Sequence, residues 1–178
     1  KEFRTSDIVG SMFKKMGLTY EEGLAITGKK ALLAGKQHLL NVCIMGELDS
    51  VLCPDHPHAD PKTGAAHSCG HNAQIASMLG AGFGLVFSGA MESLDGDVTL
   101  MAVPSEEYVE IEYRDSLRSE GKVKFLGGKQ EMIAVGAMDG IDISMLTHLS
   151  AFEDTAKKAG VGGTNNGFIG KRSEERRG

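Results

Sequence analysis

The stretch Ala66-His67-Ser68-Cys69-Gly70-His71 leads directly into an apolar run over residues 73–86. A thiol and an imidazole lie two residues apart, with a glycine between them. Cysteine and histidine are ligands of zinc, and imidazole also suits manganese, iron, cobalt or nickel. The apolar run predicts a buried helix over residues 72–88. The stretch therefore predicts a metal-binding turn at the start of a core helix, whose expected inner face is Ile75, Met78, Leu79 and Phe83.

The composition favours one globular domain that is large enough to bury a core, with 178 residues, 41% hydrophobic and 24% charged. The net charge of -5 leaves no basic surface, so a nucleic-acid partner is not expected. No stretch reaches the roughly 20 apolar residues of a membrane span, and no signal peptide is visible, so no membrane partner is expected. Three widely spaced cysteines do not form a disulfide framework and favour a reducing cytoplasm.

Three apolar runs predict buried strands, and helical patterns lie between them. A helix capped by Thr5-Ser6-Asp7 is expected to end at Gly17, and another over residues 129–135 to end at Gly136. Residues 24–34 fit either a strand pair or a strand followed by a helix. This alternation indicates an α/β fold, three-layer αβα with a mostly parallel or mixed central sheet. The predicted strands cover residues 39–45, 98–103 and 141–147.

Polar residues follow each predicted strand. Asp49 follows the first strand, the Glu106-Glu107 pair follows the second, and His148 closes the third. Cys69 and His71 come just before a helix. In open α/β sheets, strand carboxyl ends and helix N-termini share one edge, where ligands bind. We therefore expect these groups to converge on one site.

The chemistry of each group can be weighed against a simpler interpretation. Cys69 and His71 cannot face each other on a regular helix, but a sharp turn at Gly70 lets both reach one ion. Of two adjacent glutamates, one can bind a cation while the other takes a proton from the attacking water. Asp49 can orient a metal-bound histidine, and Glu47 is a weaker candidate.

Several alternatives remain open from the residues alone. Cys69 could be a small buried thiol, His148 a hydrogen-bonded histidine at the sheet edge, and the glutamate pair a solvated surface. A cysteine–histidine catalytic pair is a further option, although two residues of separation give it poor geometry. His56 and His58 are expected at the surface or near substrate, and His67 is expected to support its loop.

Four motifs together resemble a known family, the metal-dependent amidohydrolases of the aminoacylase and carboxypeptidase type. The resemblance is strongest to the branch of hippurate, aminobenzoyl-glutamate and auxin-conjugate hydrolases, and it runs from about Thr5 to about Arg172. The motifs are Gly46-Glu47-Leu48-Asp49-Ser50-Val51-Leu52, Ala66-His67-Ser68-Cys69-Gly70-His71-Asn72, Val103-Pro104-Ser105-Glu106-Glu107 and the weaker Leu146-Thr147-His148.

The resemblance implies a site for two divalent metal ions, manganese or zinc. It implies Glu106 as the general base and then the acid, and Asp49 as a residue that positions a ligand. The implied substrates are small-molecule amides: N-acyl or aminobenzoyl amino acids and small dipeptides. The implied ligands are Cys69, His71, Glu107 and His148.

The sequence departs from the family in two respects. Asn72 stands where the branch has aspartate, which replaces an acceptor-only carboxylate by an amide. The family also has a lid domain, which makes dimer contacts in a homo-oligomer, and a last metal-binding histidine. Residues 1–172 are expected to form an incomplete catalytic domain, followed by a tail over residues 173–178. The lid domain and the last histidine are not expected in either part. The alternative prediction is therefore a metal-binding remnant without catalytic activity.

Overall fold

The structure is a computed structural model and describes residues 2–149. A short 3-10 helix, Ala90–Glu92, accompanies the longer elements. The helices are α1 (Phe3–Lys15), α2 (His71–Ser88), α3 (Ile111–Ser119) and α4 (Gly128–Ala134). The strands are β1 (Tyr20–Leu24), β2 (Gly28–Leu33), β3 (Asn41–Glu47), β4 (Val51–Leu52), β5 (Ala65–Ala66), β6 (Asp97–Val103) and β7 (Ile143–Leu146).

A mixed five-stranded sheet in the order β1-β2-β6-β3-β7 forms the centre of the fold. Strand β3 runs parallel to both β6 and β7, whereas β1, β2 and β6 pair antiparallel. A separate antiparallel pair, β4 and β5, lies within the loop that precedes α2. The predicted α/β fold is confirmed, with the mixed form of the sheet.

Helices cover both faces of the sheet. On one face, Phe13 of α1 and Met78 of α2 pack against Leu100 of β6. On the other face, Met132 of α4 packs against Met101 of β6. Successive residues of β6 thus point into opposite cores, as the two-residue period of a strand requires. This arrangement gives the three αβα layers that the alternating pattern predicted.

The predicted start of the first helix is wrong. Helix α1 begins at Phe3, and the Ser6 hydroxyl is buried and donates to the carbonyl of Thr27 at 2.6 Å, so it does not cap the helix. The spacing of Ile8, Met12, Phe13 and Met16 predicts one apolar helix face, but Ile8 is 46% exposed. The helix end is as expected, because Gly17 takes a positive φ of 76°.

The ambiguous segment 24–34 is the second half of a hairpin. Strands β1 and β2 pair directly, and the turn between them holds Ala25 and Ile26 at positive φ. Strand β3 begins two residues later than predicted and continues to Glu47, since Leu39 and Leu40 are exposed. The third predicted strand is shorter than expected and covers Ile143–Leu146.

Helix α2 follows the prediction closely. It begins at His71 and ends at Ser88; Ile75 and Met78 are buried, and Leu79 and Phe83 pack against the same core. Residues 2–149 contain no helix that combines the length and the apolar character of a bilayer span. The predicted tail 173–178 and the end of the predicted domain at residue 172 lie outside the described residues.

The contact between Gly46 of β3 and α2 generates a first prediction. A Cβ atom at position 46 would lie 2.9 Å from Ile75 Cδ1 and 3.2 Å from its backbone. We expect Gly46→Ala to lower the free energy of unfolding by about 1–3 kcal/mol, because overpacking displaces α2. Urea denaturation followed by circular dichroism measures this. The control is Gly80→Ala, since position 80 has open space; equal effects of the two variants would contradict the prediction.

Asp97, at the start of β6, generates a second prediction. Its Oδ1 accepts hydrogen bonds from the Gly35 N–H and from His38 Nδ1, each at 2.7 Å, and these interactions lower its pKa. A lowered pKa stabilises the fold above the ordinary carboxyl pKa of about 4, and the stabilisation is lost as the pH falls through the lowered value.

We therefore expect Asp97→Asn to reduce the free energy of unfolding by about 1 kcal/mol at pH 7. The difference from the parent chain should narrow as the pH falls from about 5 toward the lowered pKa. Urea denaturation at several pH values measures this difference. If the difference in free energy of unfolding between the two chains is the same at every pH, the charge of Asp97 does not contribute to stability.

Candidate metal centre

The predicted site residues lie at the carboxyl edge of the three parallel strands. Glu47 is the last residue of β3, and it pairs in register with Val103, the last residue of β6. On the other side, Met45 of β3 pairs with Leu146, the last residue of β7. The segments that leave these strands therefore emerge next to one another, and the N-terminus of α2 lies at the same edge.

The turn before α2 depends on Gly70. This residue precedes the helix with a φ of 97°, a left-handed conformation that side chains with a Cβ rarely adopt. The turn allows Cys69 and His71 to approach His148, so that one ligand atom of each lies within 4.8 Å of the others. The Sγ of Cys69 is 3.7 Å from Nε2 of His148. Three of the four predicted ligands are thus together.

His71 occupies the middle of the cluster and is 1% exposed. Its Nδ1 lies 3.1 Å from both the carbonyl oxygen and Oδ1 of Asp49, so Nδ1 carries a proton and donates it. Its Nε2 faces Glu47 Oε2 at 2.9 Å and Glu107 Oε1, the fourth predicted ligand, at 3.6 Å. Glu106 Oε2 lies 3.8 Å from the same nitrogen.

The carboxylates around the buried imidazole of His71 give this site a negative charge, which favours a nearby positive charge. Burial acts to lower the pKa of His71, but the hydrogen bond with Asp49 and the adjacent Glu47 carboxylate outweigh it and raise the pKa to about 10. Among the described residues, Nε2 has no hydrogen-bond partner of acceptable geometry. A cation at this point would satisfy both the nitrogen and the acids.

The spacing of the donors fits a divalent metal. Two donor atoms bound to one ion at about 2.0–2.2 Å lie roughly 3–3.6 Å apart. The three carboxylate oxygens lie 2.9, 3.6 and 3.8 Å from His71 Nε2. Thiolate, imidazole and carboxylate are ligands of zinc, and the oxygen and nitrogen donors also suit manganese. The residues present therefore fit a divalent cation.

Asp49 connects the two halves of the site. One carboxylate oxygen accepts from His71, and the other accepts from the backbone N–H of Glu107 at 2.8 Å. A carboxylate that fixes the tautomer and direction of a histidine is a common support for metal ligands. Asp49 thus holds the start of α2 and the loop after β6 in one arrangement.

The glutamate pair lies in a strained loop. Ser105 and Tyr108, which flank it, have positive φ values of 50° and 56°. Such conformations cost on the order of 1–3 kcal/mol each and cluster at functional sites. The Ser105 hydroxyl donates to the carbonyl of Leu126 at 3.2 Å. The two acids of this loop differ in exposure: the Glu107 side chain is 8% exposed beside His71, whereas that of Glu106 is 25% exposed.

Glu47, a weaker candidate from the sequence, lies inside the site. It is 1% exposed, and its carboxylate contacts both His71 and Lys129 of α4. Burial acts to raise the pKa of Glu47, but the adjacent His71 imidazole and the hydrogen bond with Lys129 outweigh it and lower the pKa to about 2. One signal pointed to it: an acid that ends an apolar strand is unusual. Glu47, His71 and Glu106 form a second group with ligand spacing.

The remaining sequence candidates lie around this centre. His56 and His58 lie in the preceding loop with ring centroids 5.8 Å apart. His67 is half-buried near Asp49, and burial and His71 lower its pKa. Asn72 is exposed. Cys43 is buried, and burial raises its pKa to about 12.

A cavity of about 570 Å³ adjoins the site, with Asp49, His67 and Ser105 on its wall. Arg4 and Tyr113 also line it. Its volume falls within the range of about 300–1,000 Å³ that small-molecule sites occupy. The site thus has room beside it for a small organic ligand.

The role of Asp49 generates a third prediction. Asparagine has one acceptor oxygen, so it cannot accept from both His71 and Glu107. We expect Asp49→Asn to weaken Mn²⁺ or Zn²⁺ binding by about 10–100-fold, because such supporting groups typically contribute this much. Isothermal titration measures it, with Asp55→Asn in the exposed loop as the matched control. Unchanged affinity in Asp49→Asn would show that the bridge is dispensable.

Known proteins resemble this chain along most of its length. Thermostable carboxypeptidase 1 of Saccharolobus solfataricus is 28% identical over 176 residues, which cover 95% of this chain and 39% of that protein. N-acyl-L-amino acid amidohydrolase of Geobacillus stearothermophilus is 26% identical over 152 residues, covering 84% and 36% of the two chains. The chain thus spans less than half of the length of these relatives.

A solved structure shares the fold. The Bacillus subtilis YXEP protein, described as a dinuclear metal binding peptidase from the M20 family, superposes with a TM-score of 0.63 at 19% identity. The match covers 81% of this chain and 36% of that one. No family model matches the chain. The relatives are named as a carboxypeptidase and an amidohydrolase, the fold is that of a metal-binding peptidase, and a metal-compatible cluster lies at the sheet edge, so the chain is similar to metal-dependent peptidases and amidohydrolases.

Proposed function

We propose that this chain contributes the metal site of an amidohydrolase that cleaves the amide bond of N-acyl or aminobenzoyl amino acids or small dipeptides. The observation that carries the proposal is the buried Nε2 of His71, which faces three carboxylates beside Cys69 and His148. The names of the similar proteins, a carboxypeptidase and an N-acyl amino acid amidohydrolase, support this substrate class.

The cofactor in this proposal is divalent metal, two ions of manganese or zinc. Cys69, His71, Glu107 and His148 would hold it. When bound, such an ion polarises the amide carbonyl and makes water more acidic. The tautomer of His71 suits this role, because Asp49 accepts a hydrogen bond from the Nδ1–H and so leaves Nε2 as the atom that can bind metal.

Glu106 is the proposed proton carrier. Its side chain is the more open of the glutamate pair, and its Oε2 lies 3.8 Å from His71 Nε2, at the edge of the cluster. A carboxylate there can take a proton from the attacking water and return it to the departing amine nitrogen. Asp49 positions His71 and Glu107 and does not itself exchange a proton with substrate.

The adjoining cavity supports a small-molecule substrate rather than a macromolecular one. We place its acyl or amino acid portion there, beside His67. The proposal extends to a cytoplasmic, homo-oligomeric whole protein without a nucleic-acid or membrane partner.

A second candidate function follows from one contact. Cys69 Sγ is 3.7 Å from His148 Nε2, and Nδ1 of the same ring is 2.7 Å from the carbonyl of Leu149. An Nδ1–H that donates to this carbonyl would leave Nε2 to receive the thiol proton, as in a cysteine hydrolase. Exhaustive chelation distinguishes the two, because a cysteine hydrolase keeps its activity without metal.

Replacement of Glu106 generates the fourth prediction. We expect Glu106→Gln to lower hydrolysis of an N-acyl amino acid panel by about 10²–10⁴-fold, because the proton carrier is lost. Bound metal should stay within error of the parent chain, since Glu106 is not among the proposed ligands. Release of free amino acid and elemental analysis measure the two properties, and Glu92→Gln is the exposed control.

Each other result has a distinct meaning. Full activity in Glu106→Gln would contradict its role. Metal binding by the parent chain without hydrolysis of any substrate would favour the remnant without catalytic activity. A parent chain that takes up neither manganese nor zinc would contradict the proposed function as a whole.

A further inference from the structure

Glu47 is anchored from two directions. Its backbone N–H donates to Oε1 of Gln74 at 3.1 Å, a buried hydrogen bond between β3 and α2. Its position at the end of the central parallel strand places the side chain under the start of α2. Both backbone and side chain are therefore held in place before any ligand binds.

The two carboxylate oxygens of Glu47 have different partners. Oε1 accepts a hydrogen bond from Nζ of Lys129, on the first turn of α4. Oε2 lies 2.9 Å from Nε2 of His71, without the geometry of a hydrogen bond. Lys129 thus occupies one oxygen and leaves the other directed at the donor atom of His71.

We infer that Glu47 is a metal ligand of this centre, through Oε2, and that Lys129 is a positioning residue that selects this oxygen. The inference rests on the proposed function, since it adds a ligand to the same site. It goes beyond the resemblance, which implies Cys69, His71, Glu107 and His148 as ligands and gives no such role to Glu47 or Lys129.

Three observations support a ligand over a plain ion pair. Oε2 lies 2.9 Å from Nε2, close to the roughly 3 Å that separates neighbouring donors on one ion, and Nε2 has no hydrogen-bond partner among the described residues. Glu47 and His71 belong to a group, which the proposed proton carrier Glu106 completes, whose polar atoms lie within 4.8 Å of one another. The Lys129 ammonium is 40% exposed and compensates only one oxygen, so the buried remainder of the carboxylate faces the site.

Lys129 also lies close to the proposed proton carrier. Together with Glu106 it lines a small cavity of about 70 Å³. Its ammonium therefore lies near the site and contacts Oε1 of Glu47. Removing Lys129 should loosen Glu47 while it leaves the ligand itself in the chain.

The experiment compares metal binding by the 178-residue chain and two variants, Glu47→Gln and Lys129→Met. Affinities for Mn²⁺ and Zn²⁺ are measured by titration, and the visible spectrum of bound Co²⁺ reports the ligand set. The matched control is Glu120→Gln, which removes the acid of an exposed ion pair with Lys122.

We expect Glu47→Gln to bind at least about 100-fold more weakly and to change the Co²⁺ spectrum, because a carboxylate oxygen leaves the metal. Lys129→Met should weaken binding by about 10-fold with the parent spectrum, which is the effect of a lost supporting group. The Glu120→Gln control should have the metal affinity and the Co²⁺ spectrum of the parent chain.

The outcomes separate this inference from the proposed function. A parent chain that binds no metal contradicts both. Metal binding by the parent chain with the same affinity and spectrum in Glu47→Gln overturns the inference alone. If circular dichroism in the presence of chelator shows that Glu47→Gln does not fold, the metal affinity of Lys129→Met tests the inference. An affinity equal to that of the parent chain overturns the inference, and a weaker affinity supports it.

Discussion

The site depends on one constraint, the parallel pairing of β3 with strands on both of its sides. Because β3 lies between β6 and β7, the segments that follow all three strands emerge at the same edge. Residues separated by a hundred positions in the chain can then meet around His71. Antiparallel β3 neighbours would send Glu107 and His148 to opposite ends of the sheet.

The electrostatics of this edge favour binding over folding stability. A buried imidazole with carboxylates on several sides, and two non-glycine residues at positive φ beside the glutamate pair, are unfavourable for an isolated fold. The apolar cores on both sheet faces hold the backbone against this cost. A bound cation would offset the repulsion between these acids, and the acids would then act as its ligands.

The local elements that the pattern predicted well are those whose periodicity is uninterrupted. The apolar run after His71 forms α2, and the run that ends at Val103 forms β6. The errors have tertiary causes. Ser6 turns its hydroxyl to Thr27 across the core instead of capping α1, and Leu39 and Leu40 are apolar but remain outside the sheet. A local sequence pattern cannot predict these features, because they depend on residues that are distant in the chain.

The sequence by itself determined the chemistry available at the sheet edge: the thiol and imidazole around Gly70, the glutamate pair after a buried strand, and the histidine after the last one. It also indicated that these groups share an edge, because strand ends and helix starts do so in α/β sheets. Only the tertiary structure decided that Glu47 joins them, since the partner of its carboxylate, Lys129, lies 82 residues away on another helix. Burial and distance between remote residues are properties of the packed chain, and no spacing along the sequence encodes them.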